Sequence, residues 1–201
     1  MGWRAGPTPA DRSSRAEPLL LLSLVACDAL QDRVLTPMRE TVDRVQASSS
    51  LECDLDAWDE DNSRNCGEQV LRCGEQVQGH TSHGVSSWSN DEYREWFCHP
   101  IHKDWDGRER VFRLHLEPMQ VARVRLVSPC EDLDLFTVSW PHEDCPTTAN
   151  AVTECNADVH PGGGETTLVT ANHPRTYLLA VDGKYGKEGA FQLSVDCESR
   201  L

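Results

Sequence analysis

The sequence predicts an all-β fold: an antiparallel β-sandwich, preceded by a signal peptide and a short acidic tether. Three observations carry that reading. Short segments alternate apolar and polar residues with period two, as strands packed on one side do. Turn formers separate them about every ten residues, at Glu117-Pro118, Ser128-Pro129, "HPGGG" (160–164) and Asn172-His173-Pro174. Helical spacing is confined to the region before Ser50, so no βαβ alternation is visible.

The N-terminal segment sets the compartment. Arg4, Arg12 and Arg15 precede the apolar run Leu19–Ala26, which is followed by Cys27. A basic region, a short apolar core and a small residue before the cut predict a secretory signal peptide over 1–26. "LVAC" at 24–27 resembles a bacterial lipobox, which implies cleavage before Cys27 and a lipid on its thiol. The run is too short to span a bilayer as a helix. Removing Cys27 from the nine cysteines leaves eight: Cys53, Cys66, Cys73, Cys98, Cys130, Cys145, Cys155 and Cys197. An even set in an oxidising compartment predicts disulfides, with connectivity left open. No C-x-x-C pair suggests zinc.

The chain is acidic. Cleavage removes Arg4, Arg12, Arg15, Asp11 and Glu17, so 19 basic and 33 acidic residues become 16 and 31, and the net charge goes from −14 to −15. Such a surface repels nucleic acid. Residues 27–66 read as a tether. Leu30, Val34, Leu35, Met38, Val42 and Val45 follow roughly helical spacing, broken at Pro37 and ended by Ser48–Ser50. "CDLDAWDEDNSRNC" then gathers Asp54, Asp56, Asp59 and Asp61, oxygen ligands for which calcium is the candidate cation. The EF-hand spacing is not met, and a solvated acidic loop is the simpler reading. "CGEQV" occurs at Cys66 and again at Cys73, as a duplicated strand entry would.

The strand segments follow. "FRLHLE" sets Phe112, Leu114 and Leu116 against Arg113, His115 and Glu117. "VARVRLVS" sets Ala122, Val124 and Leu126 against Arg123 and Arg125. "DLDLFTV" sets Leu133 and Leu135 against Asp132, Asp134 and Phe136. Tyr177, Leu179 and Val181 share one face of a late strand, and Phe191, Leu193 and Val195 share one face of the next. The stretch between, with Gly183, Gly186 and Gly189, reads as the loop of a long β-hairpin. Asp182 is expected to accept N–H groups of that loop, and Lys184 and Lys187 to lie free in it.

"ERVFRLHLEPMQVARVRLVSPCEDLDLFTVSW" and "TYLLAVDGKYGKEGAFQLSV" resemble two segments of the bacterial pre-peptidase C-terminal domain family. "CGEQVQGHTSHGVSSWSNDEYREWFC" resembles that family's opening strand, loop and second strand. The resemblance covers residues 67–198 and implies a jelly-roll-like sandwich. The family is usually appended to secreted proteases, and relatives in bacterial collagenases bind collagen and calcium. It also implies a Cys145–Cys155 disulfide. Cys73–Cys98, Cys53–Cys66 and Cys130–Cys197 complete the expected set.

Catalytic signatures are missing. There is no HExxH, no G-x-S-x-G, and Gly162-Gly163-Gly164 lacks a phosphate loop's ending. His80-x-x-His83 and His99-x-x-His102 read as surface loops more readily than as metal ligands. Trp58, Trp96, Trp105 and Trp140 read as packing residues, and Trp88, in a Ser-rich loop, as exposed. The expected function is a non-enzymatic, lipid-anchored module of the bacterial cell envelope, without a cofactor, binding an extracellular protein or polymer such as a polysaccharide. The alternative is a calcium- or carbohydrate-binding module of the cell surface.

Overall fold

The computed structural model describes residues 51–54, 66–98, 104–150, 152, 154–159 and 164–200, all within the unit Val45–Leu201. Among the described residues nine strands and one short α-helix follow in order, with a 3-10 turn at Thr81–His83: β1 (Gln69–Val70), β2 (Gln76–His80), α1 (Asn90–Glu95), β3 (Arg110–Leu116), β4 (Gln120–Val127), β5 (Leu133–Ser139), β6 (Cys155–Asp158), β7 (Gly164–Ala171), β8 (Arg175–Gly183) and β9 (Ala190–Ser199). They form two sheets, β1-β3-β8-β5-β6 and β2-β9-β4-β7. Every pairing is antiparallel except β1 with β3. Without β1 the orders are those of a jelly roll.

The apolar faces read from the alternation meet in one core between the sheets. Phe112, Leu114, Leu133, Tyr177, Leu179 and Val181 come from one side, and Ala122, Val124, Leu126, Val169, Phe191 and Leu193 from the other. Each fully buried large side chain contributes about 1.5–3 kcal/mol. The β3–β4 turn is tight. Gln120 N–H donates to the Glu117 carbonyl at 3.2 Å, and Met119 stands at φ 64°.

The stretch Tyr177–Val195 is not a hairpin. β8 pairs with β3 and β5, whereas β9 pairs with β2 and β4, in the opposite sheet. The chain crosses from one sheet to the other around Tyr185 and Gly186, both at positive φ. A Cβ on Gly183 would collide with the Lys187 carbonyl, so the corner needs glycine there.

The two "CGEQV" copies acquire a structural meaning. Gly67 and Gly74 both stand in the left-handed region, at φ 69° and 80°. Each Cys-Gly turn launches a strand, β1 into one sheet and β2 into the other.

The eight cysteines do pair, but none as expected. The bonds are Cys53–Cys130, Cys66–Cys145, Cys73–Cys197 and Cys98–Cys155, with Cα separations of 4.9–5.8 Å. Each joins segments at least 57 residues apart in sequence, because the sandwich brings distant ends together. Leu51 is buried, and with Cys53 it extends the folded body into the stretch read as tether.

Two further corrections concern the outer face of the five-stranded sheet. It is covered, so β3, β5 and β8 are buried on both sides. Arg113, expected on a solvent face, is buried and donates to the carbonyls of Gly67, His142 and Glu143 at 2.6–3.1 Å. The cover includes α1, where the resemblance implied a second strand.

Candidate functional site

The cover begins with a locally coded helix. Ser89 and Glu92 form a capping box: Asp91 N–H donates to Ser89 Oγ at 3.2 Å, and Ser89 N–H donates to Glu92 Oε2 at 2.8 Å. The end of α1 is a Schellman motif. Cys98 N–H reaches the Tyr93 carbonyl and Phe97 N–H the Arg94 carbonyl. Phe97 holds the left-handed position, at φ 57°, with its ring 89% exposed. Tyr93 points down onto the sheet and stacks on Phe136, ring centroids 4.0 Å apart. Trp88, Trp96 and Trp105 pack edge-on around it. Trp96 and Trp105 are packing residues as expected, as is Trp140; Trp58 lies outside the described residues. Trp88 is 2% exposed, not the exposed residue its Ser-rich loop suggested, and its Nε1 donates to the Pro146 carbonyl.

Beneath this aromatic cap runs a row of carboxylates. Asp134 of β5 is registered opposite Asp182 of β8. Arg110 is registered opposite Val181, which sets Glu109 opposite Asp182 on the other side. All three carboxylates are 0% exposed. Glu109 Oε1 accepts the N–H groups of Ser87 and Trp88 at 2.6 and 2.9 Å. Asp182 accepts the Tyr93 hydroxyl at 2.9 Å and, as its sequence context predicted, a neighbouring N–H, that of Gly183, at 2.7 Å. Asp134 accepts Trp105 Nε1 at 2.5 Å and is paired with Lys184. Burial, with Asp182 adding to it, pushes Glu109 up to about 8. Burial, with Asp134 and Asp106 adding to it, pushes Asp182 up to about 7. Burial also raises Asp134, against the opposing pull of Lys184. The row has no exposed member, and each of its three carboxylates bonds the cap.

The other sheet is open. The outward residues of β2, β9, β4 and β7 fall in register: Gln76, Ser194, Arg125 and Thr166 in one row, Gln78, Gln192, Val127 and Gly164 in the next. Gln78 Nε2 donates to Gln192 Oε1 at 3.0 Å. Arg125 Nε is itself buried, without a hydrogen-bond partner. A separate cleft of about 390 Å³ lies at one end of the sandwich, lined by Ser139, Trp140, Pro141, His142, Pro174, Arg175 and Thr176.

Cys27, Asp56, Asp59, Asp61, His99 and His102 lie outside the described residues. Asp54 is exposed, and the Cys53–Cys130 bond brings its segment to that of Glu131 and Asp132. His80 is buried, its Nδ1 accepting Ser82 N–H, and desolvation with His83 nearby lowers its pKa. Among the described residues no three His, Cys, Asp or Glu side chains form a group suited to a metal. Lys184 is not free in the loop: it is 8% exposed and ion-paired. Sequence reasoning missed the carboxylate row, β6 and α1. Only α1 had a local signal, the Ser89-x-x-Glu92 box.

No protein-family model matches the chain, and no curated protein does. Solved structures match it at low identity. The pre-peptidase C-terminal domain of a collagenase from Bacillus anthracis aligns at 12% identity and a TM-score of 0.41, over 67% of this chain and 100% of that one. PliG from Aeromonas hydrophila, a periplasmic inhibitor of g-type lysozyme, aligns at 10% and 0.34, over 65% and 98%. CorA from Methylomicrobium album BG8, a surface-associated copper-binding protein important in copper acquisition, aligns at 7% and 0.36, over 64% and 98%. At these identities and TM-scores the matches do not assign the chain to a family.

Proposed function

We propose that this chain is a non-enzymatic binding module of the bacterial cell envelope. In this reading Cys27 carries the lipid anchor, and the outer face of β2-β9-β4-β7 receives an extracytoplasmic protein or polymer. One observation carries the reading, the contrast between the two outer faces. An aromatic cap seals one. The other presents Gln76, Gln78, Arg125, Thr166 and Ser194 in registered rows, a flat array of hydrogen-bonding groups. Four disulfides support a compartment outside the cytoplasm. The strongly perturbed carboxylates do not argue for catalysis here, since each is buried and bonded to the cap.

The test is retention of envelope components on immobilised domain. Wild type should retain a ligand that Arg125→Glu and Ser194→Trp lose with unchanged melting. Retention equal in all three removes the open face from the proposal. Labelling with an alkyne fatty acid should tag wild type and spare Cys27→Ser.

A second reading, carbohydrate binding, is favoured by the cleft, where Trp140, Pro141 and Pro174 offer apolar walls beside Arg175 and Thr176. A glycan array on Arg175→Ala separates the two. Loss of a glycan there with the open face intact favours the cleft. Calorimetry with calcium tests the acidic loop.

A further inference from the structure

Three polar anchors hold the aromatic cap to the sheet, and each ends on a different carboxylate of one row. Ser87 and Trp88 N–H donate to Glu109 at 2.6 and 2.9 Å, the Tyr93 hydroxyl donates to Asp182 at 2.9 Å, and Trp105 Nε1 donates to Asp134 at 2.5 Å. The segments anchored are the loop before α1, α1 itself, and the stretch entering β3. A fourth fastening is covalent, Cys98–Cys155.

The row is unevenly compensated. Lys184 serves Asp134, at 2.8 Å, and lies 3.6 Å from Asp132. Glu109 and Asp182 face each other, and among the described residues neither is ion-paired with a cation. Glu109 Oε2 is buried and has no hydrogen-bond partner.

We propose that Glu109 and Asp182 form a proton-operated latch: the cap stays closed while the pair retains a proton, and swings away, still tethered at Cys98, once both carboxylates are ionised. A single ionised member is tolerated, because N–H and O–H donors stabilise a carboxylate. A second charge in the same dry row is not, since its desolvation and the repulsion arrive together.

The groups facing the pair add to this. Asp134 from β5 and Asp106 from beside Trp105 act on Asp182, which also faces the Tyr93 hydroxyl of α1, while Asp132 acts on Asp134 and Glu92 on Tyr93. Among the described residues Lys184 is the cation of the row, and it is held at Asp134. Burial chiefly sets where the pair titrates, with Asp182 at about 7 and Glu109 at about 8. As coupled sites they lose their protons in two successive steps that belong to the pair, and the second step opens the latch. Tyr93 is pushed well above its ordinary value and stays protonated there. The sandwich core lies on the other side of the sheet, so the expected event is local. Opening bares Trp88, Trp96, Trp105 and Phe136, an apolar surface hidden at lower pH.

The test uses the oxidised full chain. Tryptophan fluorescence and near-ultraviolet circular dichroism are followed from about pH 5.5 to about pH 9.5, where carboxylates this strongly shifted titrate. Wild type should show a reversible red shift with a midpoint near 8 and constant far-ultraviolet signal. Glu109→Gln should stay closed across the range. Hydrogen exchange of wild type supplies a reading that needs no variant. Protection of the amides at 87–98, corrected for the intrinsic pH effect, should fall at least about tenfold between the two ends, while β4 and β9 hold theirs. No wild-type transition, a Glu109→Gln transition like wild type's, or protection lost equally in β4 and β9 overturns the latch.

Discussion

Lys184 Nζ lies 2.8 Å from Asp134 Oδ2, and the carboxylate it meets is wholly buried. The lysine thus reaches from the crossing between the sheets to the base of the cap. Removing it strands a charge. Lys184→Ala should cost about 3 kcal/mol, as for one partner of a buried pair. Asp134→Asn with Lys184→Met should cost less than the sum of the two single changes. Urea unfolding of Lys184→Ala, of Asp134→Asn and Lys184→Met singly, and of their combination checks this. A Lys184→Ala midpoint equal to wild type would mean the pair is not formed in solution.

Leu193 is fully buried in the core between the sheets, opposite Val77 and Leu126 in register. Leu193→Ala should cost about 2–5 kcal/mol. Leu168, on β7, is 56% exposed, so Leu168→Ala should stay within about 0.5 kcal/mol. Thermal melts of both test the facing of β9 and β7 together.

Phe97 holds the left-handed position that a Schellman motif ordinarily gives to glycine, and its ring is exposed. Phe97→Gly should therefore raise stability by about 1 kcal/mol. A lower melting temperature would show that the ring makes a contact outweighing the backbone strain.

Stability should fall as pH rises. Glu109 and Asp182 are raised by burial to about 8 and about 7 in the folded protein, against about 4 in an unfolded chain. Across that window the folded state binds more protons. Its advantage is full below about pH 4 and is lost as pH climbs through the folded values. Urea midpoints should therefore be lower at about pH 8.5 than at about pH 5.5, and Glu109→Gln should narrow the gap. A higher midpoint at the alkaline end would contradict the assignment.

Peptide mapping under non-reducing conditions should recover Cys53–Cys130, Cys66–Cys145, Cys73–Cys197 and Cys98–Cys155. Replacing Cys73 and Cys197 by Ser opens a loop with a sequence separation of 124. On the chain-entropy model that should cost about 5 kcal/mol. Any Cys145–Cys155 peptide in the native protein would break the scheme.

What the residues determine by themselves is local. Period two places Phe112 with Leu114, Tyr177 with Leu179, and Phe191 with Leu193, since successive side chains of a strand alternate wherever the strand ends up. The helix carries a local signal too, the box from Ser89 to Glu92, but the strand reading of that stretch passes over it. An even cysteine set likewise announced disulfides without announcing partners. The apolar faces of β8 and β9 would alternate identically in a hairpin and in two opposed sheets, so alternation could not tell one from the other. Trp88 shows the same boundary. Serine neighbours mark a loop, but burial depends on what folds over it, here α1 and the segment at Pro146. The four disulfides are relations of distance between segments remote in sequence. The carboxylate row goes furthest beyond the sequence. Glu109, Asp134 and Asp182 come from three strand segments, and only the register of β3, β8 and β5 lines them up. Their chemistry follows from that meeting, because a carboxylate's proton affinity is set by the charges and the dryness around it, which no stretch of chain carries alone.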